Sequence, residues 1–521
     1  MSSSISAISR GLPRVALAAL AALAAGCGGE AGITVVTVAA RPAVGAVAQL
    51  EVSLDNASAS QRETFTVTGR EFPLSFSVST AGRSGPMTVR VEASNGNGEV
   101  RAAGAVTVEL DPAGRVEAAL TLAPNDFVVN STYVGTQDLA FRSDAGGRQL
   151  SAGLDGHFTI GWSDTCQMVG RCDVFGRRYD ATGTPLATAI AAGTAQFNFN
   201  QTSGLIGYEP SLATDRSGNT LAAWATAGEL FAVVVDATGA ALTSSETTVT
   251  TATTPGTPAV IALPDGRFVV AWGDASATAG QRVIKARYLS SSGVPINNPV
   301  TGTTAAFQVS STVMTNAAVP AMVSLGTGGL VIAWTDVATV RGRFYGPTGT
   351  PISGSDLVMS GHPLTDDIGP PQLAALAGNP LLLFRRATTG GDAANGQLVL
   401  RRMSASGALI GTDVVVNDDV ERGPAGLSTT SAGEVAVVWS ACTTATDGSG
   451  CGVWFRQYSG ELAPRTDAIA VNTTTEGDQE DPSVGWLPDG AAAVAWSDDS
   501  MAEPDLDGGA VRARIIYPTA P

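Results

Sequence analysis

The stretch Pro258-Ala-Val-Ile-Ala-Leu-Pro-Asp-Gly-Arg-Phe-Val-Val-Ala-Trp272 decides how the chain is read. Val260 to Leu263 is a short apolar run, Pro264-Asp265-Gly266 is turn chemistry, and Arg267 to Trp272 is β-branched and aromatic, so the unit predicts a hairpin. It returns almost unchanged as Pro482-Ser-Val-Gly-Trp-Leu-Pro-Asp-Gly-Ala-Ala-Ala-Val-Ala-Trp496. Five looser copies complete a series whose closing aromatics are Trp162, Trp224, Trp272, Trp334, Phe384, Trp439 and Trp496, spaced by about 56 residues.

Working outward, each closing aromatic is followed by a third strand and a Gly turn, as in Arg178-Tyr-Asp-Ala-Thr-Gly183 and Arg402-Met-Ser-Ala-Ser-Gly407. A fourth strand is clearest in Asp413-Val-Val-Val-Asn417 and Asp467-Ala-Ile-Ala-Val-Asn472. Four strands at this period suit the blade of a β-propeller. The seventh copy runs out after its third strand, Val511-Arg-Ala-Arg-Ile-Ile-Tyr517, while Asp126-Phe-Val-Val-Asn130 carries a fourth-strand pattern ahead of the first copy. A seven-bladed propeller over residues 125–521, closed by residues 126–131, is expected, because joining the ends of the ring removes open sheet edges.

Residues 33–124 differ in texture: they lack Trp and Cys, and alternate apolar with polar residues through runs such as Ile33-Thr-Val-Val-Thr-Val38 and Met87-Thr-Val-Arg-Val91. Such runs, parted by turns at Asn95-Gly-Asn-Gly98 and Asp111-Pro-Ala-Gly114, predict a β-sandwich. In pattern it resembles immunoglobulin-like or fibronectin-like stalk modules, without a Cys–Trp–Cys signature. The fold class expected is therefore all-β, a sandwich followed by a propeller.

At the N-terminus, Arg10 and Arg14 precede an apolar run from Val15 to Ala25, too short to span a bilayer but suited to a signal peptide over residues 1–26. Leu23-Ala-Ala-Gly-Cys27 resembles a bacterial lipobox, with Ala24 where Leu is usual. The resemblance implies a diacylated Cys27, residues 27–32 as its tether, and a lipid-anchored protein of the bacterial envelope, at the outer membrane or cell surface. Plain secretion with a free Cys27 is the alternative.

The composition agrees with a secreted all-β chain: 6% aromatic and 15% charged residues with 61 Gly. A formal charge of −17 repels phosphate backbones and argues against a nucleic-acid partner. Cys166 and Cys172 flank the loop after Trp162, and Cys442 and Cys451 flank the equivalent loop after Trp439, so two local disulfides are expected.

The loops expected on one face are long and acidic, and a ligand is sought there. Candidate binding residues are Asp366, Asp367, Asp418, Asp419, Glu421, Asp478, Glu480 and Asp481. Asp498, Asp499, Asp505 and Asp507 offer hard oxygen ligands for Ca²⁺, and Asp505-Leu-Asp-Gly508 resembles a calcium loop; solvation of exposed loops is the other reading. A further pattern joins Asp164, Asp274, Asp336 and Asp498, two residues after their aromatics, with Arg178, Arg287, Arg343 and Arg514 on the third strands; blades two and six lack both. Register sets Arg343 opposite Ile332, away from Asp336, so a structural ion network is expected, with contacts between neighbouring blades as the alternative.

Only two His, no Gly-x-Ser-x-Gly elbow and no phosphate loop leave hydrolase or transferase chemistry without an obvious base or cradle. Asp215-Arg-Ser-Gly-Asn-Thr220 loosely resembles a sialidase Asp box, but the other blades do not repeat it. The repeats resemble those of bacterial secreted and surface proteins with tandem Asp-Gly-x-x-Val-x-Trp propeller blades. That resemblance bears on the fold and implies little about substrate; the function expected is a non-enzymatic, lipid-anchored binding or scaffold protein using the long-loop face for a protein or glycan ligand. The alternative is a carbohydrate-active propeller enzyme, a glycosidase or lyase working through loop carboxylates.

Overall fold

The computed structural model describes residues 5–10, 32–57, 59–131, 135–139, 147–164, 173–189, 196–200, 207–243, 246–251, 255–314, 319–326, 328–336, 339–360, 370–387, 396–417, 425–442 and 449–518. The chain divides into two compact units, Met1–Asn125 and Asp126–Pro521. Among the described residues no helix is long and apolar enough to cross a membrane.

In the first unit, alternation in sequence becomes alternation in burial: Val36 and Val38 of Ile33–Ala40 are fully buried while their neighbours are not. Ile33–Ala40 pairs antiparallel with Leu74–Ser79 and parallel with Arg115–Pro124. Ile5–Arg10, within the expected signal segment, lies beyond Leu74–Ser79 on the same side. Ala59–Thr66, Gln49–Asn56, Gly85–Ser94 and Val100–Leu110 form the facing sheet. Arg115–Pro124 serves both sheets, since its end also pairs with Ala102 and Ala103. Val52, Val89 and Val91 on one side and Val38, Leu74 and Phe76 on the other fill a single core.

The second unit is a seven-bladed β-propeller. The central strands Thr220–Ala225 and Val435–Ala441 are buried at every residue, because a neighbouring blade covers each face. The turns follow the sequence: Gly266 lies at φ +85°, a left-handed conformation that Asp265 precedes and supports by accepting the Arg267 N–H (3.1 Å). The segment Asp215 to Thr220 is the same kind of turn, with the Asp215 carboxylate accepting the N–H groups of Ser217 (2.8 Å) and Asn219 (2.9 Å).

The closing aromatics fill the seams. Trp224, Trp272, Trp334, Phe384, Trp439 and Trp496 each join a core shared with the preceding blade; Trp334, for example, shares one with Val269, Ala271 and Ile284. Hydroxyl groups tie the innermost strands together: Ser483 accepts the Leu150 N–H (3.1 Å), and Thr429 donates to the Ala375 carbonyl (2.7 Å). The ring closes where Phe127 and Val128 pair with Ala513 and Arg512. The Val129 N–H donates to Val511 O (2.7 Å), and the Val511 N–H returns to Asn130 Oδ1 (3.0 Å).

The Asp and Arg pattern resolves into two devices. Asp274, Asp336 and Asp498 pair across their own blade with Lys285 (2.8 Å), Arg341 (2.7 Å) and Arg512 (2.6 Å), the residues opposite the tryptophans. Arg343 does stand opposite Ile332, and bonds instead to Asp356 (3.1 Å), whose carboxylate accepts Ser311 and Thr312 N–H groups from the preceding blade. The arginines two positions further along the third strand reach the preceding blade's fourth strand. Arg177 donates to Val129 O (2.8 Å), Arg401 to Met359 O (2.6 Å), Arg456 to Val416 O (2.8 Å), Arg514 to Val471 O (2.7 Å), and Arg287 to Val249 O. The expectation is corrected in two places. In blade one the seam residue is Arg177, while Arg178 turns to Asp155 (3.4 Å), and blade six does carry one, Arg456. Asp164 accepts the Asp173 N–H (2.9 Å).

Arg512 also holds Asp126 (3.2 Å), and all three side chains of this triad are at least 95% buried. Arg512→Met is expected to lower propeller stability by about 3–5 kcal/mol, because it strands two buried carboxylates. Trp334→Ala should cost a similar ~3–5 kcal/mol through an unfilled seam. Urea midpoints within ~0.5 kcal/mol of the parent for both variants, the range of an ordinary surface substitution, would contradict this account.

Candidate acidic site at blades 7 and 1

The innermost strand of blade 1 is split. Leu150–Ala152 pairs with Phe158 to Ile160, and Gln137–Asp138 pairs with Ser163 and Asp164 further along the same strand. The split carries Asp138 to the edge of blade 7, where the Ser497 hydroxyl donates to it (2.6 Å) and the Leu139 N–H donates to Ser497 (3.0 Å).

On blade 7, Asp478 precedes the innermost strand Gln479–Trp486, and Asp498 ends the second strand. The Asp499 N–H donates to Asp478 O (2.9 Å), fixing the two loops together. Gly477 and Gly509 make room for Asp499: a Cβ on Gly509 would come within 2.6 Å of Asp499 Oδ1, and one on Gly477 within 2.7 Å of Asp499 O. Desolvation by this packing, reinforced by Asp138, Asp478 and Asp498, pushes the Asp499 carboxyl above its ordinary range. Asp499 and Asp478 are nevertheless exposed, and Asp138 is half-buried.

Behind this group Asp505 is fully buried, also with a raised pKa from desolvation. Its carboxylate accepts the Asn130 amide (2.7 Å), tying it to the closing strand, and the Asp507 N–H (3.3 Å). Asp498 is engaged by Arg512, Gln479 (3.1 Å) and Ser500 (2.6 Å). Asp498, Asp499, Asp505 and Asp507 are therefore not gathered as a calcium site. Among the described residues the one set of three or more ligand atoms within 4.8 Å of one another is Cys442, Cys451 and Glu480. Cys442 and Cys451 form a disulfide (S–S 2.02 Å), which leaves no thiolate to ligate, and Glu480 Oε1 stands 3.3 Å from Cys451 Sγ. Asp478 accepts the Cys451 N–H (2.9 Å), so the disulfide loop supports the acidic group. Asp481, in a bulge at φ +55°, is buried.

Cys27, Cys166, Cys172, Asp366, Asp367, Asp418, Asp419 and Glu421 lie outside the described residues. The sequence reading missed Asp138, and with it Arg148, at the other end of the same interruption. The signal was there: the interval between the closing strand and Leu150 is longer than the other blades' approach to their first strands.

No family model and no curated protein matches the chain. Solved structures of similar architecture include a Hadza microbial sialidase (12% identity, 79% of this chain and 90% of that one, TM-score 0.40). Others are a variant of the NanB sialidase from Streptococcus pneumoniae (10%, 94% and 95%, 0.42) and an α-L-arabinofuranosidase from Fusarium graminearum (10%, 58% and 91%, 0.37). The likeness is one of fold. These matches are glycoside hydrolases by name; the expectation of a non-enzymatic protein is corrected on the chemistry and not on this likeness. That expectation weighed missing histidines and serine elbows, whereas sugar cleavage needs only carboxylates.

A carboxyl with a raised folded-state pKa binds a proton the unfolded chain has lost, so its contribution to stability falls as pH rises from the unfolded Asp value through the folded one. Asp499→Asn removes that penalty. The variant should melt higher than the parent at pH 7, with the difference closing as pH drops below about 4; a parallel offset at all pH values would show that titration is not its source.

Proposed function

We propose that the acidic group of blades 7 and 1 cleaves glycosidic bonds, with Asp499 as proton donor and Asp138 and Asp478 supplying the second carboxylate. The observation that carries the reading is an exposed carboxyl held above its ordinary pKa by desolvation and three neighbouring carboxylates. Glycoside hydrolysis needs this inequality, one carboxyl keeping its proton while another acts as base or nucleophile. The solved glycosidases of like fold are consistent with the reading but do not carry it.

We also infer an extracytoplasmic protein anchored through Cys27. The lipobox resemblance supports this, and the Cys442–Cys451 disulfide suits an oxidising compartment. Metabolic labelling with a radiolabelled fatty acid should mark the parent and not Cys27→Ser.

A panel of aryl glycosides and natural oligosaccharides, assayed for reducing-end release, tests the activity. Turnover of at least one substrate is expected, falling about 10²–10⁴-fold in Asp499→Asn with the melting transition retained. Binding to glycans without turnover, or full activity in the variant, would remove Asp499 from this role.

A further inference from the structure

The hairpin turn Asn95-Gly-Asn-Gly98 joins strands Gly85–Ser94 and Val100–Leu110 of the first unit and belongs to no site described above. It holds two of the three asparagines that precede glycine in the chain; the third, Asn395, lies outside the described residues. An asparagine before glycine is open to attack on its own side-chain amide by the next backbone nitrogen, since glycine has no Cβ to obstruct the approach. Sequence treats Asn95 and Asn97 alike, and the fold does not.

Asn95 is half-buried, and its amide is fastened at both ends. Its Oδ1 accepts the N–H groups of Asn97 (2.9 Å) and Glu99 (3.1 Å), and its Nδ2 donates to Glu99 Oε2 (2.7 Å). Glu99 is held in turn by Arg101 (2.8 Å). Turning the Asn95 Cγ toward Gly96 N would break all three hydrogen bonds. Asn97 is exposed at the tip, and among the described residues only its backbone N–H is engaged, by Asn95. A Cβ built on Gly96 or on Gly98 meets nothing within 4 Å, so no protein atom crowds either side of Asn97. The Gly98 N–H donates to Asn95 O (3.1 Å), the turn's own bond, which must open before that nitrogen can react. An exposed hairpin tip is where such opening is easiest.

We propose that Asn97 is a site of spontaneous covalent modification, converted by water to aspartate and isoaspartate while Asn95 is spared. Gly98 N gives up its proton and bonds to Asn97 Cγ; the Cγ–Nδ2 bond breaks, and Nδ2 takes up a proton and leaves as ammonia. Water then opens the cyclic imide. Opening at Cγ gives aspartate, and opening at the main-chain carbonyl gives isoaspartate, whose backbone runs through Cβ and Cγ. Water is the only co-reactant, and no atom is oxidised or reduced. Either product adds a carboxylate to a turn that already carries Glu99. The site is independent of the glycosidase reading and of the lipid anchor.

The test incubates the full chain at neutral and at mildly alkaline pH and follows the peptides that cover the turn by tandem mass spectrometry, with isoaspartate told from aspartate by its fragment ions. Parallel samples are held in urea at a concentration where circular dichroism shows the chain unfolded. In the folded chain Asn97 is expected to convert at least about tenfold faster than Asn95, because three hydrogen bonds oppose the reaction at Asn95 alone. Conversion should quicken at the higher pH, and in urea the two rates should draw together. Glu99→Ala, which removes one anchor of the Asn95 amide, should narrow the gap in the folded chain. Asn95 converting as fast as Asn97 in the folded parent, no conversion at Asn97, or an undiminished gap in urea overturns the proposal.

Discussion

The propeller depends on a short pairing between distant parts of the chain. Phe127 and Val128 make the ladder with Ala513 and Arg512, and the surrounding side chains secure what two residues alone could not. Asp126 takes the N–H groups of Thr473 (2.7 Å) and Thr474 (2.9 Å), Asn130 caps Val511, and Arg512 joins Asp126 to Asp498 in a buried triad. Without this contact the last blade would expose the edge of its third strand, and Arg177 of blade 1 would lose its acceptor, the Val129 carbonyl.

The same economy is repeated round the ring. An apolar fourth-strand residue ends in Asn or Ser, as in Val129-Asn130, Phe199-Asn200, Val309-Ser310, Met359-Ser360 and Val471-Asn472. The polar residue caps a third-strand N–H in its own blade: Asn200 for Val174 (2.8 Å), Ser310 for Ile284 (3.0 Å), Ser360 for Val340 (3.1 Å) and Asn472 for Val453 (2.9 Å). The carbonyl of the apolar residue is left for an arginine from the next blade at Val129, Met359 and Val471. Backbone groups that a two-residue strand cannot satisfy are thus paired by side chains.

The acidic group is placed where this repetition fails. Blades 7 and 1 differ from the rest by the closing strand and by the split innermost strand, which together bring Asp138 beside Asp478, Asp498 and Asp499. Desolvation, with like charges crowded beside it, raises the Asp499 carboxyl above its ordinary range, and the same interruption brings Arg148 to the Pro371 carbonyl of blade 5.

The closing aromatics, Asp-Gly turns and recurring fourth-strand pattern were legible because they are local and periodic: each copy of Pro-Asp-Gly followed by β-branched residues forms its hairpin whatever lies around it. The acidity of Asp478, Asp498 and Asp499 could be read as well. What could not be read was which charges meet. A shift of one residue separates Arg177, bound to the neighbouring blade, from Arg178, bound to Asp155. Asp498 stands in sequence as a free ligand and is in fact held by Arg512. Sequence by itself determined the hairpin unit and its sevenfold recurrence, since these follow from turn chemistry and side-chain period. Only the tertiary structure decided which carboxylates share a site and which arginine meets which carboxylate, because those energies depend on distance and burial across segments hundreds of residues apart.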